Sequence, residues 1–191
     1  RADCIAMGFN NHIGSDRLDA RAASALGIID VVPLPALPEG ECLCSSAVRE
    51  AIAEADFDAA SRILGRSFDL CGTVVEGNKL GRTIGYPTAN ISPSSGSRQM
   101  LPPDGVYAAD AFTAPDKETH RAIVNIGVRP TVDKSGQNRT IEAHILDFDA
   151  NLYGTELRLE FITRLRDEKR FESLDELRHQ LDSDAESARR V

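Results

Sequence analysis

From Ser67 onward, short apolar stretches alternate with clusters of Gly, Pro, Asn and Asp. This pattern predicts strands over Phe68–Val75, Val106–Phe112, Arg121–Ile126, Ile141–Phe148 and Leu157–Leu165. Strands of that length at that spacing favour an antiparallel barrel or sandwich. The last of them alternates, with Leu157, Leu159, Phe161 and Leu165 opposite Arg158, Glu160 and Arg164, as in a strand with one face buried. A helix is predicted to close the chain. Ser173 and Glu176 have capping-box spacing, and Leu174, Leu177, Leu181, Ala185 and Ala188 recur with a helical period that should pack on the barrel.

Residues 1–66 have a different texture. Cys4–Met7 and the β-branched Ile28–Val32 are strand candidates, and Asp16–Leu26 is a charged helical segment. Two short helices follow. Ser45 or Ser46 caps the first, which carries Val48, Ala51 and Ile52 on one face; Asp56 caps the second, and Gly65 closes it. The change from α/β to mainly β texture sets a boundary near Arg66.

Composition narrows the function classes. With 191 residues and 41% apolar content, the chain can bury a core and is expected to be a soluble globule. No stretch approaches the roughly 20 apolar residues of a membrane span, and Arg-Ala-Asp-Cys shows no secretory signal, so a cytoplasmic setting without membrane partners is expected. A net charge of −8 and a pI near 5.0 argue against nucleic acid as a partner, as does the 5% aromatic content against base stacking. The four cysteines contain no CxxC pair and are read as reduced thiols; Cys42-x-Cys44 has no second pair at zinc-ligand spacing. Nothing in the pattern points to a particular oligomeric state.

The candidate chemistry begins at Gly72-Thr-Val-Val-Glu-Gly77-Asn-Lys-Leu-Gly81-Arg-Thr-Ile-Gly85-Tyr-Pro-Thr-Ala-Asn90. Closely spaced glycines let backbone N–H groups approach a ligand, as in loops that cradle phosphate. Between Gly77 and Pro103 there is no Asp or Glu, whereas Lys79, Arg82 and Arg98 are present, so an acidic chain contains a locally cationic stretch. A glycine-rich turn beside a solvated loop would have the same spacing. Asn78-Lys79-Leu80 after Gly77 departs from the P-loop pattern, and no G-x-G-x-x-G is present.

Gly81-Arg82-x-x-Gly85-Tyr86-Pro87-Thr88-Ala89-Asn90 resembles the signature of the riboflavin kinase family, centred on Pro-Thr-Ala-Asn. It is joined in the family's order by Gly105-Val106-Tyr107, Asn125-Ile126-Gly127-x-Arg129-Pro130-Thr131, Glu142-x-His144-x-Leu146-x-Phe148, Leu152-Tyr153-Gly154 and Arg166-x-Glu168-x-x-Phe171. The likeness runs over residues 67–191. It implies a mainly β fold, a six-stranded antiparallel Greek-key barrel with a C-terminal helix. It also implies an enzyme that moves the γ-phosphate of ATP to the 5′-hydroxyl of riboflavin, giving FMN and ADP. ATP is expected at Gly77, Lys79, Gly81, Arg82, Gly85 and Pro87, and Mg²⁺ or another divalent cation at the neutral oxygens of Thr88 and Asn90. Glu142 is the expected general base. Riboflavin should enter from the other side, near Arg129, Arg166, Glu168 and Phe171.

Taken residue by residue, plainer readings stay open. Thr88 and Asn90 could make a hydrogen-bonded turn, Glu142 could face outward from a strand, and His144 could be a packed histidine. Arg129 and Arg166 could be surface ion pairs.

Gly8-Phe9-Asn10-x-x-Ile13-Gly14 and Cys44-Ser45-Ser46-Ala47-Val48-Arg49 resemble the end of the FMN adenylyltransferase domain that precedes the kinase in bifunctional FAD synthetases. Cys44 stands where that motif has its first Ser, and none of His12, His120, His144 or His179 lies in a His-x-Gly-His element. The expectation is an adenylyltransferase remnant over residues 1–66 ahead of a kinase barrel over 67–191. A fragment retaining some FMN adenylylation, or a noncatalytic flavin- or nucleotide-binding barrel, are the alternatives.

Overall fold

The computed structural model describes residues 3–8, 11–34, 44–77, 80–93, 99–113, 118–128 and 139–191, with the side chains of Leu80 and Arg82 excepted. Two compact units are separated between Leu43 and Cys44. In the first, strands β1 (Cys4–Met7) and β2 (Asp30–Pro33) pair in parallel, with helix α1 (Ala20–Ala25) between them in sequence. The Asp19 carboxylate caps α1 by accepting from Ala22 N at 2.8 Å. The helix is shorter than the segment predicted from Asp16, because the chain turns first, with Arg17 at φ 51°.

The second unit opens with helices α2 (Ser45–Ala53) and α3 (Phe57–Leu64). The N-cap of α2 is Cys44 rather than either serine: its backbone is extended and its sulfur accepts from Ala47 N, whereas Ser45 and Ser46 already lie inside the helix. Asp56 caps α3, and Gly65 ends it in the left-handed region at φ 70°. These helices belong with the barrel, not with the α/β segment before them, although their texture matches that segment. Phe57 provides the reason: its ring lies 5.8 Å from Phe68, 5.3 Å from Phe161 and 5.7 Å from Tyr107, inside one continuous core.

Six strands then close into an antiparallel barrel: β3 (Asp69–Val75), β4 (Ala89–Pro93), β5 (Gly105–Thr113), β6 (Thr119–Val128), β7 (Arg139–Ile145) and β8 (Glu156–Arg166), in the order β3-β4-β7-β6-β5-β8. A one-turn helix α4 (Leu80–Thr83) lies between β3 and β4, and α5 (Leu174–Arg190) ends the chain. Closure leaves no unpaired sheet edge, and the interior fills with alternate residues of every strand. Strand β4 has no counterpart in the hydrophobic pattern, since Ala-Asn-Ile-Ser-Pro carries one large apolar residue and reads as loop. Strand β7 stops at Ile145, short of the predicted Phe148, where Asp147 turns the chain at φ 55°.

Strand β8 departs from simple alternation. Its pairing with β5 shifts register between Val106 and Tyr107 and again between Ala108 and Ala109, so Arg164 pairs with the inward Tyr107 and Arg166 with the outward Val106. Leu157, Leu159 and Phe161 face the core as predicted; Leu165 instead packs with Val106, Ala108, Ile123, Leu146, Ala185 and Ala188. That second cluster docks the C-terminal half of α5 on the outside of the barrel. The N-terminal half, with Leu177 and Leu181, stands over a cavity.

Candidate active site

The strand registers place six side chains in one row around the barrel wall: Val75, Asn90, Glu142, Asn125, Val106 and Arg166, each paired with the next. Their sequence neighbours Val74, Ile91, Ile141, Ile126 and Tyr107 lie in the interior cluster, so by the two-residue period this row faces outward. Glu142 thus sits between two asparagines, on the outer face expected of an ordinary strand glutamate. That face is not solvent, however. A cavity of about 300 Å³ lies against it, walled by Gly81, Ile84, Tyr86 and Thr88 on one side and by Arg166, Glu168, Lys169, Phe171, Leu177 and Leu181 on the other.

Glycines shape the near wall. A Cβ on Gly77 would meet the Asn90 carboxamide nitrogen at 2.1 Å, so a bare backbone is what admits that half-hidden amide, whose residue is 9% exposed. A Cβ on Gly81 would lie 2.1 Å from the Tyr86 carbonyl, where the loop folds back with Tyr86 N donating to Gly81 O at 2.8 Å. Gly85 supplies the positive φ of that turn, at 85°.

The far wall is held by charge. Arg166 donates to Asp184 of α5 through Nε (3.0 Å to each carboxylate oxygen) and Nη2 (2.7 Å), and Gln180 Nε2 adds a bond at 2.9 Å. Asp184 is 3% exposed, so this is a buried fork rather than a surface ion pair. The Arg166 guanidinium also lies 5.8 Å from the Phe171 ring centroid. The Glu168 carboxylate accepts from Asn125 Nδ2 at 3.3 Å and crosses the face of Gly127, where a Cβ would collide with it.

His144 shares the Glu142 face. Its Nδ1 bonds the Pro87 carbonyl at 2.8 Å, and its ring lies 4.9 Å from that of Tyr86. Burial lowers the imidazole pKa, against the opposing effect of the Pro87 bond. The Tyr86 hydroxyl donates to Asp182 of α5; burial first, and that bond second, push its pKa up to about 12.

A second, smaller cavity of about 90 Å³ opens toward the barrel interior beside Val74, Ala89, Ala143 and Ile145, under the 148–153 turn. Pro87 lines it, and Thr88 lines both cavities.

The fold therefore gathers Gly81, Thr88, Glu142, Arg166, Glu168 and Phe171 around one space, with Asn90 beside Glu142 and Gly77 beneath Asn90. Gly85 stays on the exposed turn. Lys79 and Arg129 lie outside the described residues, as does the side chain of Arg82. Sequence reasoning passed over Asn125 as a site residue. Its signal was an amide inside the apolar run Ile123-Val124-Asn125-Ile126. Tyr86, Leu177 and Leu181 were legible only as motif or packing residues, and Lys169 not at all, because their convergence depends on how α5 crosses the barrel.

The riboflavin kinase (flavokinase) family profile matches residues 64–191. The bifunctional riboflavin kinase/FMN adenylyltransferase of Haemophilus influenzae is 39% identical over 151 residues, covering 79% of this chain and 47% of that protein. The protein of the same description from Escherichia coli K12 is 41% identical over 150 residues, covering 78% and 46%. A crystal structure described as a macrolide-efflux protein from Streptococcus pneumoniae superposes with a TM-score of 0.81 at 33% identity, over 95% of this chain and 58% of that one. The chain belongs to the riboflavin kinase family, and it spans about half the length of the curated relatives it matches. Among the described residues no helix is long and apolar enough to cross a membrane.

Proposed function

We propose that the chain transfers the γ-phosphate of ATP to the 5′-hydroxyl of riboflavin, with riboflavin in the larger cavity and the nucleotide on the inner side of Thr88. The observation that carries this reading is the pair Glu142–Asn125 on the floor of a cavity that shares Thr88 with a second one, with Asn90 beside Glu142 in register. A carboxylate thus faces the larger space, and the Thr88 hydroxyl belongs to a residue that borders both. The larger space suits the flavin: Ile84, Val106, Ile123, Phe171, Leu177 and Leu181 offer apolar area for a fused ring, and Glu142, Asn125, Glu168 and Arg166 offer partners for a polyol chain.

In the proposed step the 5′-oxygen attacks the γ-phosphorus while its proton passes to the Glu142 carboxylate; the bond from phosphorus to the bridging β,γ-oxygen breaks, and ADP leaves. Catalysis here is mostly positioning, and the residues supply it. Asn125 and Asn90 flank Glu142 in register, and the Arg166–Asp184 fork keeps α5 against the flavin side.

Among the described residues no three His, Cys, Asp or Glu side chains converge as a metal site. Thr88 and Asn90 fit a hard cation that brings its own phosphate ligands, and Mg²⁺ held there would neutralise charge on the transferring group. A cytosolic setting suits this use of ATP and the absence of disulfides at Cys4, Cys44 and Cys71.

The test is a chromatographic assay of the chain with riboflavin and Mg-ATP. FMN should accumulate, EDTA should abolish its formation, and no FAD should follow, since the sequence holds no His-x-Gly-His element. A clean preparation that binds riboflavin yet forms no FMN over hours would turn the reading toward a binding module.

A further inference from the structure

Thr88 borders both cavities, so the direction in which its side chain leaves the backbone matters to the chemistry proposed above, on which this inference rests. The β4–β7 ladder begins only at Ala89↔Ala143, one residue later. Before it, the chain comes from the turn at Gly85 and through Pro87, which has no N–H to anchor it. The carbonyl of Pro87 belongs to the planar peptide that leads into Thr88, and it is bonded at 2.8 Å by His144 Nδ1, a side chain acting where a strand amide would otherwise donate.

A carbonyl can only accept. Nδ1 therefore carries the proton, which fixes the tautomer of His144 and leaves Nε2 as its acceptor nitrogen. The imidazole is itself held from the other side: the Tyr86 ring lies against it at 4.9 Å, and the Tyr86 hydroxyl donates to Asp182 on α5. One chain of contacts thus runs from α5 through Tyr86 and His144 to the peptide before Thr88. Leu181, next to Asp182 on α5, lines the larger cavity, so the helix that roofs the flavin side is tied to the loop on the nucleotide side.

We infer that His144 is a positioning residue: its Nδ1–H holds the Pro87–Thr88 peptide and so sets Thr88 for the nucleotide, with Tyr86 and Asp182 securing the imidazole to α5. His144 takes no proton from substrate in this role; it acts through the peptide it binds.

The variants His144→Leu and His144→Asn separate this from simple packing. Leucine fills the space without a donor, whereas the asparagine amide places an N–H close to where Nδ1 stood. Two readouts are taken on the whole chain: Mg-ADP affinity by calorimetry and KM for Mg-ATP by FMN formation. His144→Leu should weaken Mg-ADP binding and raise the KM for Mg-ATP by roughly tenfold, about the effect of one positioned hydrogen bond. His144 also lines the larger cavity, so riboflavin affinity, read by flavin fluorescence without nucleotide, should fall too, but by less than the Mg-ADP affinity, because the lost Nδ1–H faces the Pro87 carbonyl; His144→Asn should recover most of the nucleotide loss. Wild-type nucleotide affinity in His144→Leu overturns the inference, and so does an equal loss in both variants when each melts like the parent. Tyr86→Phe, which keeps the ring and removes only the bond to Asp182, should shift Mg-ADP affinity in the same direction by a few-fold and decides the matter if His144→Leu does not fold. Should the parent form no FMN, the proposed function fails, while the Mg-ADP arm still tests His144.

Discussion

Strand β7 presents two surfaces of opposite kind within seven residues: Ile141, Ala143 and Ile145 point into the barrel, and Glu142 and His144 point out. On the inner surface Ile141 is packed among Val124, Ile126, Ile91 and their neighbours with almost no exposure, while Ala143 and Ile145 also border the smaller cavity. The outer one is only half covered. Ala185 and Ala188 press on the barrel, but the first turns of α5 stand off and leave room for a ligand. At Ile141 and Glu142, stability and chemistry thereby fall to adjacent residues of one strand. Substitutions one position apart should therefore have separable effects.

The comparison is tested most severely at Glu142. Glu142→Gln keeps the size and most of the hydrogen bonding of the side chain but cannot accept a proton at neutral pH. FMN formation should fall by roughly 10²–10⁴, the span for loss of a positioned base. The melting temperature should hardly move. Because the transition state of phosphoryl transfer is loose, a smaller loss would still leave Glu142 an orienting role. Wild-type turnover would exclude both, and the outer face of β7 would then be ordinary strand surface.

One residue earlier the effect should reverse. Ile141 is 2% exposed in the core, and Ile141→Ala should cost about 2–5 kcal/mol by urea unfolding, for the lost burial plus the cavity left behind. Below its unfolding transition the variant should keep both KM values within about twofold, since the removed atoms face away from the cavity. A KM that rises in step with the lost stability would mean that the two faces are coupled and the separation is false.

Thr88→Ala and Asn90→Ala probe where the faces meet. Thr88→Ala removes a neutral oxygen from the residue that borders both cavities, and Asn90→Ala removes one beside Glu142; each should raise the Mg-ATP requirement by roughly tenfold to a hundredfold, the range for a hydrogen bond to a charged partner, and change riboflavin affinity less. If both variants keep the parental Mg²⁺ and ATP dependence, the segment is a structural turn and the cation lies elsewhere.

Much of this architecture is legible in the residues. The alternation of β8 and the stripe on α5 follow from one apolar face each, except that Leu174 in the first turn is exposed and does not pack on the barrel, and Ser173 caps α5 by accepting from Glu176 N at 3.1 Å, as its spacing predicts. Strand β4 is not legible, because its pairing comes from β3 and β7 and not from its own composition. Nor does local pattern reveal the two register shifts in β8, which arise from how the barrel closes and send Leu165 to the helix side. Glu142 is the instructive case. Period-two reasoning places it outward, and only the crossing of α5 turns that outward position into an enclosed one.

The smallest expected effect is a slope. Burial lowers the His144 pKa, with Arg189 acting in the same direction and the Pro87 bond and Asp147 opposing. In the unfolded chain the imidazole titrates near its ordinary value of about 6.5. Between that value and the lower folded one, the unfolded state holds a proton that the folded state does not, so stability rises with pH across this window. The contribution is fully present above about pH 6.5 and is lost as pH falls through the folded value. The asparagine of His144→Asn has no such proton. In urea titrations at about pH 7.5 and about pH 5, chosen to bracket the start of that window, the parent should therefore lose more stability on acidification than His144→Asn, and the gap between them should narrow. Equal losses in the two proteins would mean that His144 is as easily protonated in place as in the unfolded chain. The outer face of β7 would then be wetter at His144 than its contacts with Tyr86 and Pro87 imply.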